Sequence, residues 1–240
     1  MTRDNLFEQK SGRNDFSFNH RVAEVFDDML ARSVPCYRQV IDMSSHILTA
    51  FLQKNDLIID LGCSTGSTLL ELARYLEALE LRFTGIDNSR AMIKKAALKS
   101  EMFGKQERVT FEEKDILDLD VKDVGAFLLN YTLQFVRPMD RQRLTANLYQ
   151  SLRPGGVMIV SEKVIFHDSR INRSFIDFYL DFKKSQGYSE IEITRKREAL
   201  ENVLIPFSID ENIKMLRQAG FSTVEPFFQW FNFSSFLAVK

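Results

Sequence analysis

Apolar positions recur along this chain with two different periods, and the switching between them outlines an α/β protein. From Arg21 onward, Val22, Val25, Phe26, Met29 and Leu30 fall at helical spacing, which predicts a helix to about Arg32. Ser33-Val34-Pro35 interrupts it, and Pro35 is placed to open a second helix through about Leu52. Residues 1–19 read as a polar arm, so 1–53 is an arm with two cap helices.

Short apolar runs then alternate with helical stretches. Strands are predicted at Leu57–Leu61, Leu81–Ile86, around Val109–Phe111, at Val124–Tyr131 and at Val157–Ser161. Val124–Tyr131 is nearly all apolar, as a strand buried on both faces should be. Helices are predicted to about Ala78, over Ala91–Met102 and over Arg141–Leu152, the last ending at Pro154-Gly155-Gly156. This rhythm specifies a parallel, doubly wound sheet. Residues 165–208 form a charged helical insertion with Ile171, Phe175, Phe178 and Phe182 on one stripe and a break at Gly187-Tyr188. A helix over Ile209–Gln218 stops at Gly220, and Phe221–Phe228 with Phe231–Val239 closes the chain as an antiparallel hairpin. The expectation is a single domain, 1–240, on a mostly parallel seven-stranded sheet.

Composition narrows the function without choosing it. Hydrophobic residues are 45% and charged residues 27% of the 240, ordinary globular values that exclude a disordered or fibrous chain. Lys plus Arg (32) nearly equals Asp plus Glu (33), so the basic surplus of a nucleic-acid-gripping protein is lacking. The first residues are too polar for a secretory signal, and no apolar run approaches the ~18 residues of a membrane span, so a cytoplasmic location is expected. Cys36 and Cys63 lack metal-ligand spacing, and the three histidines are scattered, so no metal is expected. Phe is unusually frequent, 21 against one Trp, and crowds Phe221–Phe236, which suits core packing or a dimer interface.

Candidate chemistry gathers at the strand ends. Asp60-Leu61-Gly62-Cys63-Ser64-Thr65-Gly66 turns the chain from the first strand into a helix. Asp87-Asn88 ends the second strand, where an acidic side chain can accept hydrogen bonds from ribose hydroxyls, although a lone Asp there is commonly a helix cap. Asp115-Ile116 follows the third strand, placed to meet an adenine, and Asn130 ends the fourth. Each element alone is weak. Together they occupy the carboxyl ends of four consecutive strands, where open α/β sheets bind ligands. Asp60 is expected to hydrogen-bond the glycine turn, with an ammonium contact as the alternative.

The same Gly62–Gly66 segment also fits G-x-S-x-G, the nucleophile elbow of α/β-hydrolases. That reading needs an acid and then a histidine downstream, and His167 is the only histidine after Ser64. The absence of GxGxxG argues against a dinucleotide dehydrogenase. The set resembles the Rossmann-like class I S-adenosylmethionine-dependent methyltransferase fold, with Ser64 where the usual GxGxG has its middle glycine.

Beyond the fold, a longer set of stretches carries a pattern of its own: Arg21-Val22-Ala23-Glu24-Val25-Phe26, Arg32-Ser33-Val34-Pro35 with Tyr37, Asp60 to Ser64, Gly85 to Ser89, and Asn130 to Phe135. It continues through Ser161-Glu162-Lys163, Gly187-Tyr188-Ser189-Glu190, Lys196-Arg197, Ala199 to Val203, Phe228-Gln229 and Phe231-Asn232-Phe233. In these stretches the chain resembles the carboxy-S-adenosyl-L-methionine synthase family, from about Arg21 to Lys240.

The resemblance implies that S-adenosylmethionine and prephenate become carboxy-S-adenosylmethionine and phenylpyruvate. A partner tRNA carboxymethyltransferase would then use the product to build 5-oxyacetyl-uridine at the wobble position. It implies a homodimer that needs no contact with tRNA or membrane. A sulfonium acidifies its methyl group by stabilising the carbanion, so such a site must hold both substrates and exclude water.

By the same resemblance, Gly62, Cys63 and Ser64 line the amino-acid portion of the ligand, Asp87 and Asn88 the ribose, and Asp115 and Ile116 the adenine. Asn130 completes that set, Tyr37 lies near the carboxylated end, and Arg197 supplies a guanidinium fork to the new carboxylate. From residue pattern alone, Arg195-Lys196-Arg197 also fits a solvated helix face and Tyr37 a packing aromatic. A conventional methyltransferase of a small molecule and a non-catalytic nucleotide-binding protein are the competing functions.

Overall fold

The computed structural model describes residues 2–8 and 16–240; Met1 and part of the polar arm, 9–15, lie outside the described residues. The apolar runs become strands β1 (Leu57–Leu61), β2 (Arg82–Asp87), β3 (Val109–Glu113), β4 (Val124–Asn130) and β5 (Leu152–Ile165). All pair in parallel, and β8 (Phe233–Val239) joins β5 and β7 (Thr223–Trp230) antiparallel, giving the order β3-β2-β1-β4-β5-β8-β7. The predicted hairpin is therefore present, with its second strand inserted beside β5.

Strand alternation sorts the core into two layers. Ile59, Leu61, Phe127, Leu129, Met158 and Val160 pack with Leu144 and Leu148 of α5 (Pro138–Ser151) and with Met215 and Leu216 of α8 (Ile209–Ala219). Ile58, Ala126, Leu128, Val157 and Ile159 pack on the other face with Ile41 and Leu48 of α2 (Tyr37–Phe51) and with Leu69 and Leu72 of α3 (Ser67–Tyr75). Burial on both faces explains the near-absence of polar residues in β4. Of the terminal phenylalanines, Phe221, Phe233 and Phe236 are buried, so packing accounts for them.

Four boundaries differ from expectation. Pro35 sits in a turn, and α2 starts at Tyr37 because Cys36 takes a left-handed conformation, φ 54°. Pro138 opens α5 three residues ahead of the expected start, as a first-turn proline can. β5 runs through Pro154-Gly155-Gly156, which are absorbed as an irregularity between Val124 and Ala126 of its partner. A two-residue strand, β6 (Phe207–Ser208), adds to the seven expected by pairing with the extended end of β5.

The cap helix α1 (His20–Ser33) lies on α4 (Arg90–Met102) through Val22, Val25, Phe26, Met29 and Met92. Lys99 Nζ, Thr65 Oγ1 and Ser67 Oγ converge on Asp27, at 2.9, 2.6 and 2.7 Å, fastening α1 over the glycine turn. Burial raises Asp27, but Lys99 and the two hydroxyls outweigh it and leave its carboxyl below the usual value. The insertion splits into α6 (Ser169–Ser185) and α7 (Glu190–Leu200) at Gly187, as predicted, with Ser189 and Glu192 forming a capping box.

Candidate active site

β2 and β4 leave β1 on opposite sides, and the crevice at their carboxyl ends opens into a cavity of about 740 Å³. Such a switch point is where open α/β sheets place ligands. Every site residue expected from sequence lines this cavity: Tyr37, Gly62, Cys63, Ser64, Asp87, Asn88, Asp115, Ile116, Asn130 and Arg197.

The glycine turn is built around the end of β2. The Gly62 and Cys63 amides both donate to Ile86 O, at 2.8 and 3.0 Å. Gly62 has φ +73°, and a Cβ there would lie 2.6 Å from Thr132 Cγ2, so the turn admits glycine alone. Ser64 also takes a left-handed backbone, φ 51°, where a glycine would be relaxed. Its amide donates to Asp87 Oδ2 at 2.9 Å, while Asp87 Oδ1 accepts from Ser89 N at 2.8 Å. Asp87 thus joins two loops, and each oxygen keeps a lone pair for a ligand. The cap of α4 is Ser89, not Asp87. Burial raises Asp87 despite the two amides.

Asp60 corrects an expectation. No hydrogen bond from the turn reaches its carboxylate among the described residues, although the residue is only 2% exposed. Burial and the neighbouring charge of Asp87 push it up to about 7. A buried carboxylate left this way favours a cation beside it. Cys63 is buried too, and burial with the two carboxylates raises its thiol well above the ordinary range, so it is an inert packing group.

Asn130 Oδ1 and the Tyr131 hydroxyl are buried with no hydrogen-bond partner among the described residues, and Tyr131 holds φ +62°. Tyr37 meets Thr68 Oγ1 at 2.8 Å and packs 6.4 Å from the Tyr131 ring. Asp115 caps a short 3-10 turn through Leu117 N at 2.9 Å and remains exposed beside Ile116. Orphaned polar atoms deep in the cavity, carboxylates at its floor and a glycine cradle fit a nucleoside carrying a cationic amino-acid tail.

The basic run on α7 is divided between the interior and solvent, with Lys196 buried, Arg195 half-buried and Arg197 exposed. Successive helical residues point about 100° apart. Arg195 donates to Phe7 O and Glu8 O, and Lys196 is buried against Ser33 Oγ at 3.1 Å. Arg197 reaches the cavity and has no carboxylate partner among the described residues. The hydrolase alternative fails on geometry, since Ser64 Oγ is hydrogen-bonded to Gly62 O and has no histidine partner.

Sequence reasoning gave no role to several residues that shape this site. Glu162 is buried and accepts from Leu133 N and Gln134 N at 2.9 and 3.0 Å, holding the loop after β4; burial pushes it up to about 8 against the pull of those amides. Tyr131, Lys163, Tyr179 and Lys183 line the end of the cavity away from Asp115. The charged pair Glu162-Lys163, two residues past the apolar run of β5, was the available signal for both.

These features define a class I methyltransferase-fold domain. The family model described as a methyltransferase domain matches residues 58–156. An O-methyltransferase family protein of Burkholderia thailandensis superposes with a TM-score of 0.70 at 16% identity, over 95% of this chain and 65% of its own. Human N-acetylserotonin methyltransferase, solved with S-adenosylmethionine, gives 0.63 at 15% identity, over 92% and 55%. Sequence relatives are more specific. A carboxy-S-adenosyl-L-methionine synthase of Desulfotalea psychrophila is 52% identical over 99% of this chain and 97% of its own. One from Wolinella succinogenes is 48% identical over 99% and 98%. This chain belongs to the carboxy-S-adenosyl-L-methionine synthase family.

Proposed function

We propose that this chain converts S-adenosyl-L-methionine and prephenate into carboxy-S-adenosyl-L-methionine and phenylpyruvate. The observation that carries the reading is Arg197, an exposed guanidinium that lines the same cavity as the strand ends and has no carboxylate partner among the described residues. Membership of the family supports it.

S-adenosylmethionine held there supplies a methyl carbon acidified by the adjacent sulfonium. Aromatisation of prephenate releases its ring carboxyl group and ring hydroxyl; the hydroxyl leaves with one methyl proton as water, and the carboxyl carbon becomes bonded to the methyl carbon. Asp87 and Asn88 hold the ribose, Asp115 and Ile116 the adenine, and Gly62, Cys63 and Ser64 the amino-acid portion with Asn130. Asp60 faces the ligand's cationic tail. Tyr37, Tyr131 and Phe233 form an aromatic wall that keeps water from the methyl carbon. Arg197 receives the new carboxylate in two-point fashion.

The product serves a separate tRNA carboxymethyltransferase that forms 5-oxyacetyl-uridine at the wobble position. The formal net charge of −1 suits an enzyme that never grips tRNA itself. A cytoplasmic homodimer is the form proposed, consistent with Ile171, Phe178 and Phe231 exposed on α6 and the terminal hairpin.

Mass spectrometry of small molecules released from the purified, denatured protein tests the core of the reading. A species heavier than S-adenosylmethionine by one carbon dioxide, formed on incubation with prephenate, is the expected result. Methyl transfer from a labelled donor without prephenate consumption would return the chain to conventional methyltransferases. Arg197→Ala should weaken binding of the carboxylated ligand about 30-fold while leaving S-adenosylmethionine within about twofold, because it removes hydrogen bonds to a charged group. Equal affinities in competition calorimetry would remove Arg197 from the role.

A further inference from the structure

We infer that Lys163 and Lys183 form a carboxylate-binding subsite for the second substrate, a small dianionic acid whose ring lies against Tyr131 and Tyr179. The inference deepens the proposed function and rests on its requirement for an anionic co-substrate beside the nucleotide.

Lys163 leaves the carboxyl end of β5, and Lys183 lies in the last turn of α6. Their ammonium groups lie 5.0 and 4.7 Å from the centre of one ring, Tyr179, whose hydroxyl is fixed on Ser33 O at 2.9 Å. Both side chains line the cavity. Lys183 is 6% exposed, yet neither ammonium group has a hydrogen bond or a carboxylate in salt-bridge range among the described residues. The next lysine inward behaves differently. Lys196 donates to Ser33 Oγ at 3.1 Å and lies 3.9 Å from Asp4 Oδ2, which also accepts from Tyr188. The other carboxylate at this end, Glu162, is occupied by two backbone amides.

Two ammonium groups without counterions among the described residues, one on the buried Lys183 and one on the half-buried Lys163, are costly to retain, and a tyrosine face compensates only part of that cost. Burial depresses both lysines, and the proximity of Lys196 and Lys163 depresses Lys183 further. A fold that keeps such a pair in a cavity has prepared it for an anion. The Tyr131 hydroxyl, without a hydrogen-bond partner among the described residues, offers a donor at the same end. Asp87 at the end of β2 and Asp115 after β3 put carboxylates on one side of the sheet's switch point, and Lys163 of β5 lies on the other. A ring acid with two carboxylates matches the two lysines in charge and in their aromatic surroundings.

The test compares wild type with Lys163→Met and Lys183→Met in steady-state kinetics on prephenate, with S-adenosylmethionine affinity and the ligand-free melting temperature measured alongside. Each variant should raise KM for prephenate on the order of tenfold or more. S-adenosylmethionine affinity should stay within about twofold, and Lys183→Met should melt no lower than wild type, because a buried unpaired charge has become apolar. Unchanged KM in both variants, with wild type turning prephenate over, overturns the subsite and leaves the proposed function standing. If wild type does not turn prephenate over, calorimetric binding of prephenate to the S-adenosylmethionine-loaded protein decides. Binding that both substitutions weaken upholds the subsite against a failed reaction, and absence of binding overturns it.

Discussion

The two ends of β1 carry the same side chain in opposite conditions. Asp56, at the amino end, accepts from Arg153 Nε at 2.9 Å, Arg153 Nη2 at 2.6 Å and Gln53 N at 2.7 Å. Burial would raise it, but Arg153 and the amide win and hold it below the usual carboxylate value. Asp60, at the carboxyl end, has no such partners and rises to about 7. The contrast extends only partly across the sheet: among the described residues the carboxyl edge and the helix above it keep unpartnered groups at Asn130, Tyr131, Lys163 and Lys183, while the amino edge, where Asp56 and Arg153 satisfy each other, leaves Arg108 Nη2 over. Polar groups that satisfy one another hold a fold together, and those left unsatisfied in a cavity wait for a ligand.

The largest effect should come from closing the carboxyl edge itself. Gly62→Ala forces a side chain into a left-handed backbone and within 2.6 Å of Thr132, a combined cost of about 4 kcal/mol. Urea unfolding should show that loss together with weakened S-adenosylmethionine binding. A variant as stable as wild type would mean that the turn is looser than its geometry states. Arg153→Ala attacks the other edge, leaving the half-buried Asp56 carboxylate without its guanidinium, at about 1 kcal/mol after solvent screening. Here stability should fall while ligand affinity holds, and a matching fall in affinity would erase the distinction between the edges.

Asp60 sharpens the comparison through pH. Its carboxyl titrates near the ordinary ~3.9 when unfolded and at about 7 when folded. Between those values the folded chain keeps a proton that the unfolded chain has lost, so its contribution to stability is full below about pH 4 and is lost as pH rises through 7. Glu162, raised to about 8, acts in the same direction, so the difference between wild type and Asp60→Asn isolates the first group. The ligand-free melting temperature should fall less steeply with rising pH in the variant. Near pH 6, binding of S-adenosylmethionine should release a proton, because its cationic tail favours ionised Asp60. Calorimetry in buffers of different ionisation enthalpy reads that proton, and equal enthalpies in wild type would show that the cation binds elsewhere.

The strand-end residues that line this cavity, proposed to hold the nucleotide, were legible in the sequence because they are written locally. Gly62, Asp87, Asp115 and Asn130 each follow an apolar run, and their positions at strand ends need only the order of elements. The seven main strands were legible for the same reason. Partner-dependent features were not. β5 runs on because β8 and β6 pair with it, and β6 exists only through that pairing. Asp60 was misassigned because its burial without a donor is a property of the cavity. Lys163 and Lys183 stand far apart in sequence, and the signal is their lack of counterions around a shared tyrosine, which appears only once β5 and α6 meet.

Ser64 offers the smallest and most diagnostic change. It occupies a left-handed conformation, φ 51°, at the position where related turns carry glycine. A side chain there costs on the order of 1 kcal/mol, partly recovered by the bond from its hydroxyl to Gly62 O at 3.3 Å. Ser64→Gly removes the strain and that bond together, and adds backbone freedom to the unfolded chain. These terms nearly cancel, so the denaturation midpoint should shift by less than about 1 kcal/mol in either direction. The contact with Asp87 comes from the backbone amide, which glycine retains, so ligand affinity should hold as well. A large loss of affinity with unchanged stability would assign the hydroxyl itself to the ligand. The satisfied turn would then join the unsatisfied edge of the sheet, and the serine would be a specificity residue in place of a tolerated substitute for glycine.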